Sequence, residues 1–193
     1  MLDIVQSPAP ALKYRPGVIV IHGGEGGKES TLEKFCVPLV QHDFVVANVE
    51  YRPAAVDDIV QAAQWFRNHA ERFKVDPKVI SVLGEAGGGH LALSAGMNPA
   101  SIKISAIINF YGASGDATAS IRRGLPPILT IHGDADSVVP YDQSVRLTEA
   151  LKAAGDDAEL ITVPGGQHGF QPVEMARLWP QIFKWLKKRK IAA

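Results

Sequence analysis

The sequence predicts an α/β chain built on a mostly parallel sheet with helices on both faces. Short apolar, β-branched runs alternate with longer segments whose apolar residues recur at three- and four-residue spacing. The stretch Val79-Ile-Ser-Val-Leu-Gly-Glu-Ala-Gly-Gly-Gly-His-Leu-Ala-Leu93 passes from strand to helix through a few small residues. Two further glycine-rich polar motifs follow strand-like runs directly, and a parallel sheet gathers such motifs at its carboxyl end.

The elements follow in order. Residues 1–16 carry Pro8, Pro10 and Pro16 and a short apolar patch (Leu2, Ile4, Val5), which suits a lead-in loop or a frayed edge strand. Gly17 to Ile21 reads as a buried strand. The glycine-rich loop 22–28 follows, then a helix capped by Ser30 or Thr31 and running to Gln41. Phe44 to Val49 is the next strand. Val56, Ile59, Val60, Ala63, Phe66, Ala70 and Phe73 mark an amphipathic helix. The strand and helix of 78–97 come next, and then a fourth strand, Ile104 to Phe110. Pro126 to Ile131 is the fifth strand, Gln143 to Ala154 a helix ended by Gly155, and Ala158 to Val163 the sixth strand. A last helix spans Val173 to Lys190. Strands separated by helices imply right-handed crossovers. No repeat, low-complexity run or linker interrupts the chain, so one domain covers 1–193.

Composition narrows the partners. Hydrophobic residues make up 46% and charged residues 21%, the balance of an ordinary globule. Twenty basic and 20 acidic residues cancel, which argues against nucleic acid or an anionic membrane as partner. Cys36 is the sole cysteine, so no internal disulfide forms. No apolar run reaches the roughly 18 residues of a membrane helix. Met1-Leu-Asp-Ile-Val-Gln-Ser-Pro lacks the features of a secretory leader, which makes a cytoplasmic location the default expectation.

Three loops hold the candidate chemistry. His22-Gly-Gly-Glu-Gly-Gly27 lets backbone N–H groups turn inward, and it matches neither dinucleotide nor P-loop spacing. In His132-Gly-Asp-Ala-Asp-Ser-Val-Val-Pro140 a carboxylate can orient an imidazole. Asp136 is the expectation, because Asp134 is better placed to cap the turn. Pro164-Gly-Gly-Gln-His168-Gly-Phe170 offers His168 as a general base. A metal site from His22, His132, His168 and the aspartates is disfavoured, because the histidines follow three different strands. No cofactor is implied. His90 reads as a packed helix histidine, Cys36 as inert, and the Lys184–Lys190 cluster as a solvated helix end.

Together HGG, Val49-Glu-Tyr-Arg52, Val75-Asp-Pro77, GExxGGHLAL, HGDADSVVP and QHGF resemble carboxylesterases of the α/β-hydrolase superfamily. The nearest groups are the hormone-sensitive-lipase-like and carbohydrate-esterase ones. Gly84-Glu-Ala-Gly-Gly88 is similar to their nucleophile elbow, G-x-S-x-G, with Ala86 at the nucleophile position. The resemblance implies a catalytic set of position 86, Asp136 and His168, and oxyanion donors at Gly24, Glu25 and Gly87. It implies a small-molecule or carbohydrate ester as substrate. Tyr111 and Phe170 follow strand ends beside that site and are candidates for lining the substrate pocket.

There are departures. Glu25 stands where a third glycine is usual, so its carboxylate is expected to overhang the oxyanion site. The segment between Tyr111 and Leu125 is too short for a helical cap, which implies a shallow, open site. Missing amino-terminal strands leave a sheet edge open to pairing, and so to a homodimer. Alanine has no lone pair to attack with. Either a serine was exchanged for alanine by engineering, or this is a natural non-catalytic relative that binds a ligand or partner. A prolyl-oligopeptidase type of peptidase is disfavoured by Glu85, where that group has aromatic-rich surroundings.

Overall fold

The computed structural model describes residues 1–8, 13–52, 56–99 and 103–192. Its frame is a seven-stranded sheet of order β1-β3-β2-β4-β5-β6-β7. The strands are β1 (Leu2–Val5), β2 (Arg15–Ile21), β3 (Val45–Val49), β4 (Val75–Glu85), β5 (Ile107–Phe110), β6 (Ile128–Gly133) and β7 (Ala158–Val163). All neighbours run parallel except β1, which pairs antiparallel with β3, Leu2 opposite Val49. The helices are α1 (Val37–Gln41), α2 (Val56–Asn68), α3 (Ala70–Phe73), α4 (Gly87–Met97), α5 (Tyr141–Ala153) and α6 (Pro172–Lys188).

Alternation along the strands builds two cores. Ile19, Ile21, Val45, Ala47, Ile80 and Val82 pack against the faces of α2, α4 and α5. Val18, Val20, Phe44, Val46, Ile108 and Leu129 pack against α1 and α6 on the other side. Strands buried on both faces read as continuous apolar runs, which is why they stood out in the sequence.

Of the two readings open for residues 1–16, the edge strand holds: Leu2–Val5 pairs with β3 at four positions and, beside the six strands read between Gly17 and Val163, brings the described strands to seven. The expected helix of 30–41 is three short pieces: a 3-10 turn (Lys28–Thr31), a π turn (Leu32–Cys36) and α1. Phe35 in the π turn and Leu39 in α1 face the same core, so apolar spacing alone could not separate those pieces. β4 begins at Val75, where a register shift between Arg15 and Gly17 takes up Pro77.

The strand-to-helix turn is the tightest place in the fold. A Cβ on Gly84 would lie 2.1 Å from the Gly88 carbonyl oxygen, and one on Gly88 would lie 2.2 Å from that of His22. Backbone meets backbone there, and no side chain can yield. Gly88→Ala should therefore lower stability by about 3 kcal/mol. Urea titration should show the midpoint falling with an unchanged slope.

Candidate active site

That turn leaves Ala86 at φ 48°, ψ −119°, left-handed backbone that a residue with a Cβ adopts only under constraint. The Ala86 N–H donates to the Phe110 carbonyl at 2.9 Å, and its carbonyl accepts from His90 at 3.1 Å. Residue 86 is thus lifted above the carboxyl end of the sheet with α4 starting beneath it.

The HGG loop lies alongside. The place a Gly23 Cβ would occupy is 3.2 Å from the Ala86 methyl, and that of Gly87 is 3.7 Å from the Gly24 nitrogen. Gly24 takes φ 38°. Gly24 and Gly87 each open a helical segment, where the first N–H groups have no partner within the segment. The Glu25 backbone belongs to the same short turn, but its side chain, and so the expected overhang, falls outside the described residues.

β3 leads directly into the residues that clamp this loop. Glu50 meets the His22 ring at 3.0 Å and accepts the Lys28 N–H at 3.2 Å. The latter bond is the main reason its carboxyl sits below the usual range. The Tyr51 ring stacks on His22 at 4.4 Å, and its hydroxyl donates to the His22 carbonyl at 2.9 Å. A cavity of about 620 Å³ opens beside Tyr51, walled by Arg52, Asp58, Gln61 and Trp65.

Asp136 and His168 are brought together. Asp136 Oδ2 lies 2.8 Å from His168 Nδ1, and Oδ1 accepts the N–H groups of Val138 and Val139 at 2.8 and 2.9 Å. Asp134 instead accepts the Gly165 N–H at 2.6 Å and ties the β6 and β7 loops together. Burial pushes the Asp136 carboxyl upward, but His168 and the two backbone donors outweigh it, so the group sits below its ordinary value.

Tyr111 and Phe170 back the histidine rather than lining an open pocket. Tyr111 is 1% exposed and Phe170 6%, and the Tyr111 ring packs edge-on against both His168 and Phe170 at 5.0 Å. The Tyr111 hydroxyl is engaged, donating to Glu85 at 2.5 Å and accepting from Lys34 at 2.6 Å. Burial, then the Glu85 charge, raises its pKa strongly. His90 bonds the Ala113 carbonyl through Nδ1 at 3.1 Å. Cys36 is buried, with its thiol pushed up to about 11 by that burial.

Two contributors escaped the sequence reading. Lys34 pairs with Glu85, the residue before position 86. A carboxylate closing an apolar strand calls for a buried cation, though spacing could not say which. The second is His132, fully buried, whose Nε2 lies 3.1 Å from Asp136 Oδ2. Among the described residues no group of three or more His, Cys, Asp or Glu side chains is placed to hold a metal ion.

Residues 2–119 match the BD-FAE family. The chain belongs to that family. Residues 111–190, which carry Asp136 and His168, also match the prolyl oligopeptidase family. Esterase LipC of Mycobacterium tuberculosis is 23% identical, covering 92% of this chain and 57% of its own length. Isoprenylcysteine alpha-carbonyl methylesterase ICME of Arabidopsis thaliana is 25% identical, covering 80% of this chain and 50% of its own. This BD-FAE chain therefore spans about half the length of these curated relatives. The butyrate-bound esterase Est2 of the Planctomycetes species Thermogutta terrifontis superposes with a TM-score of 0.89 at 23% identity. That match covers 100% of this chain and 90% of the other, which identifies the architecture as the α/β-hydrolase fold.

The buried pair of histidine and carboxylate sets an acid response. Burial lowers the His132 pKa from 6.5 despite its hydrogen bonds to Val139 and Asp136. Below pH 6.5 the unfolded chain binds a proton there that the folded chain refuses, so stability falls as pH drops toward the folded value. The Asp136 contribution is complete above 3.8 and is lost only at lower pH still. Urea melts of His132→Gln should therefore show a shallower loss of stability between pH 6.5 and 5 than the parent.

Proposed function

We propose that this fold carries the acyl-transfer site of a carboxylic ester hydrolase, present here with its nucleophile position occupied by alanine. The observation that supports this most is the Asp136–His168 pair at 2.8 Å, in company with a left-handed residue 86 at the strand-to-helix turn. A serine at 86 would attack the ester carbonyl and pass its proton to His168 Nε2. Asp136 would hold the imidazolium through Nδ1. The oxyanion would rest on the N–H groups of Gly24, Glu25 and Gly87. The alcohol would leave with the proton from His168, and water would then cleave the acyl-enzyme by the same route.

The substrate class is a short-chain ester, free or borne on a carbohydrate. Est2 was captured with butyrate, and between β5 and β6 the described chain forms only the 3-10 segment Gly115–Ser120, with no helical cap above the site. Ala86 has neither a lone pair nor an ionisable proton, so the chain as it stands holds an ester without turning it over. Retention of the elbow, the loop and the Asp–His pair favours a recent or deliberate loss of the serine. Ala86 itself is what favours the second reading, a natural ligand-binding relative.

Ala86→Ser separates the two. The added oxygen enters a turn already shaped for it, so p-nitrophenyl acetate or butyrate hydrolysis should rise by at least about three orders of magnitude; removing the equivalent nucleophile elsewhere costs about 10⁶-fold. A fluorophosphonate should label Ala86→Ser and not the parent, and His168→Ala should abolish the gained activity. A folded Ala86→Ser protein that binds these esters and stays inert would overturn the esterase reading in favour of the binding protein.

A further inference from the structure

We infer that His132 is a positioning residue: its Nε2–H holds Asp136 Oδ2 in the place where His168 Nδ1 meets it. The role of Asp136 rests on the proposed function, but the juxtaposition does not.

The tautomer of His132 follows from its surroundings. Nε2 faces two oxygens that can only accept, Asp136 Oδ2 at 3.1 Å and the Val139 carbonyl at 3.0 Å, so this nitrogen carries the proton. Nδ1 is then an acceptor, and the Ser144 hydroxyl on α5 donates to it at 2.6 Å. The ring is 0% exposed, Ser144 is 1% exposed, and Tyr141 packs edge-on against the imidazole at 5.8 Å. A neutral, buried ring bonded at both nitrogens has one available orientation.

Asp136 needs such a partner. Val138 and Val139 secure Oδ1 but leave the carboxylate free to pivot about it. Oδ2 has two partners of different character. The His168 side chain is 23% exposed on the loop after β7, whereas His132 is 0% exposed at the end of β6. Of the two, His132 is the contact on Oδ2 that solvent cannot reach. Residue 132 thereby acts through Asp136 and touches neither ester nor nucleophile. Behind Tyr111, which packs on His168, Glu85 and Lys34 pair with one another, and Asp134 is held by the Gly165 N–H on the His168 loop.

The test has one arm that needs no catalysis. In the chain as it stands, nitrogen-15 NMR should find neutral His168 predominantly protonated at Nδ1, because Asp136 Oδ2 accepts there. An imidazole in water prefers Nε2–H. The double variant His132→Phe, Ser144→Ala removes the donor without leaving a buried hydroxyl unpaired, and His168 should drift toward Nε2–H. His132→Gln, whose amide can reach Oδ2, should restore most of the Nδ1–H form. In the Ala86→Ser background the double variant should lower kcat about tenfold or more, one pKa unit's worth of interaction, with KM within about twofold. Should the double variant fail to fold, His132→Asn, too short to reach Oδ2, takes its place with the same expectation. A folded variant whose His168 keeps the Nδ1–H tautomer overturns the inference, as does a Gln variant that loses it. Should Ala86→Ser prove inert while the tautomer shifts, the esterase reading falls and the positioning role stands.

Discussion

Backbone against backbone at the turn between β4 and α4 is the constraint from which the site follows. Gly84 and Gly88 let the first turn of α4 lie on the carbonyls at the end of β2, closer than any Cβ permits. That approach forces residue 86 into left-handed backbone and sets its side chain above the sheet. It also brings the HGG loop, which leaves β2 at the same place, against the start of the helix. Elbow and loop are two consequences of one packing event. The Glu50 and Tyr51 contacts only fasten what the glycines allow.

The half of the site around Asp136 and His168 is assembled by electrostatics instead. A carboxylate whose side chain is 0% exposed survives as an anion only when its lone pairs are filled, and Asp136 has two backbone N–H groups and two histidines to fill them. The loops after β6 and β7 are tied further by Asp134 and Gly165. Tyr111, at φ 40°, reaches from the end of β5 between the two halves, touching His168 on one side and Glu85 on the other. A stiff link thus runs from the residue before position 86 to the imidazole.

Much of this was legible in the sequence. Each parallel strand contains β-branched residues, and burial on both faces of the central strands leaves little else for their apolar runs to be. The choice between Asp134 and Asp136 could be reasoned from turn chemistry. What stayed hidden was pairing at a distance. Lys34 and Glu85 are 51 positions apart, and nothing in either local pattern names the other. His132 looked like one more loop histidine because its partner Ser144 lies on a helix face read only for its apolar spacing. Tyr111 and Phe170 were candidates for lining a pocket, and their burial against His168 was not legible, since burial cannot be read from position after a strand.

Position 86 also stores tension. An alanine held at φ 48° costs about 1–3 kcal/mol, which glycine would largely avoid. The turn acts like a sprung catch: the close packing of Gly84 and Gly88 bears the load, and a looser fit there would let residue 86 relax away from the end of the sheet.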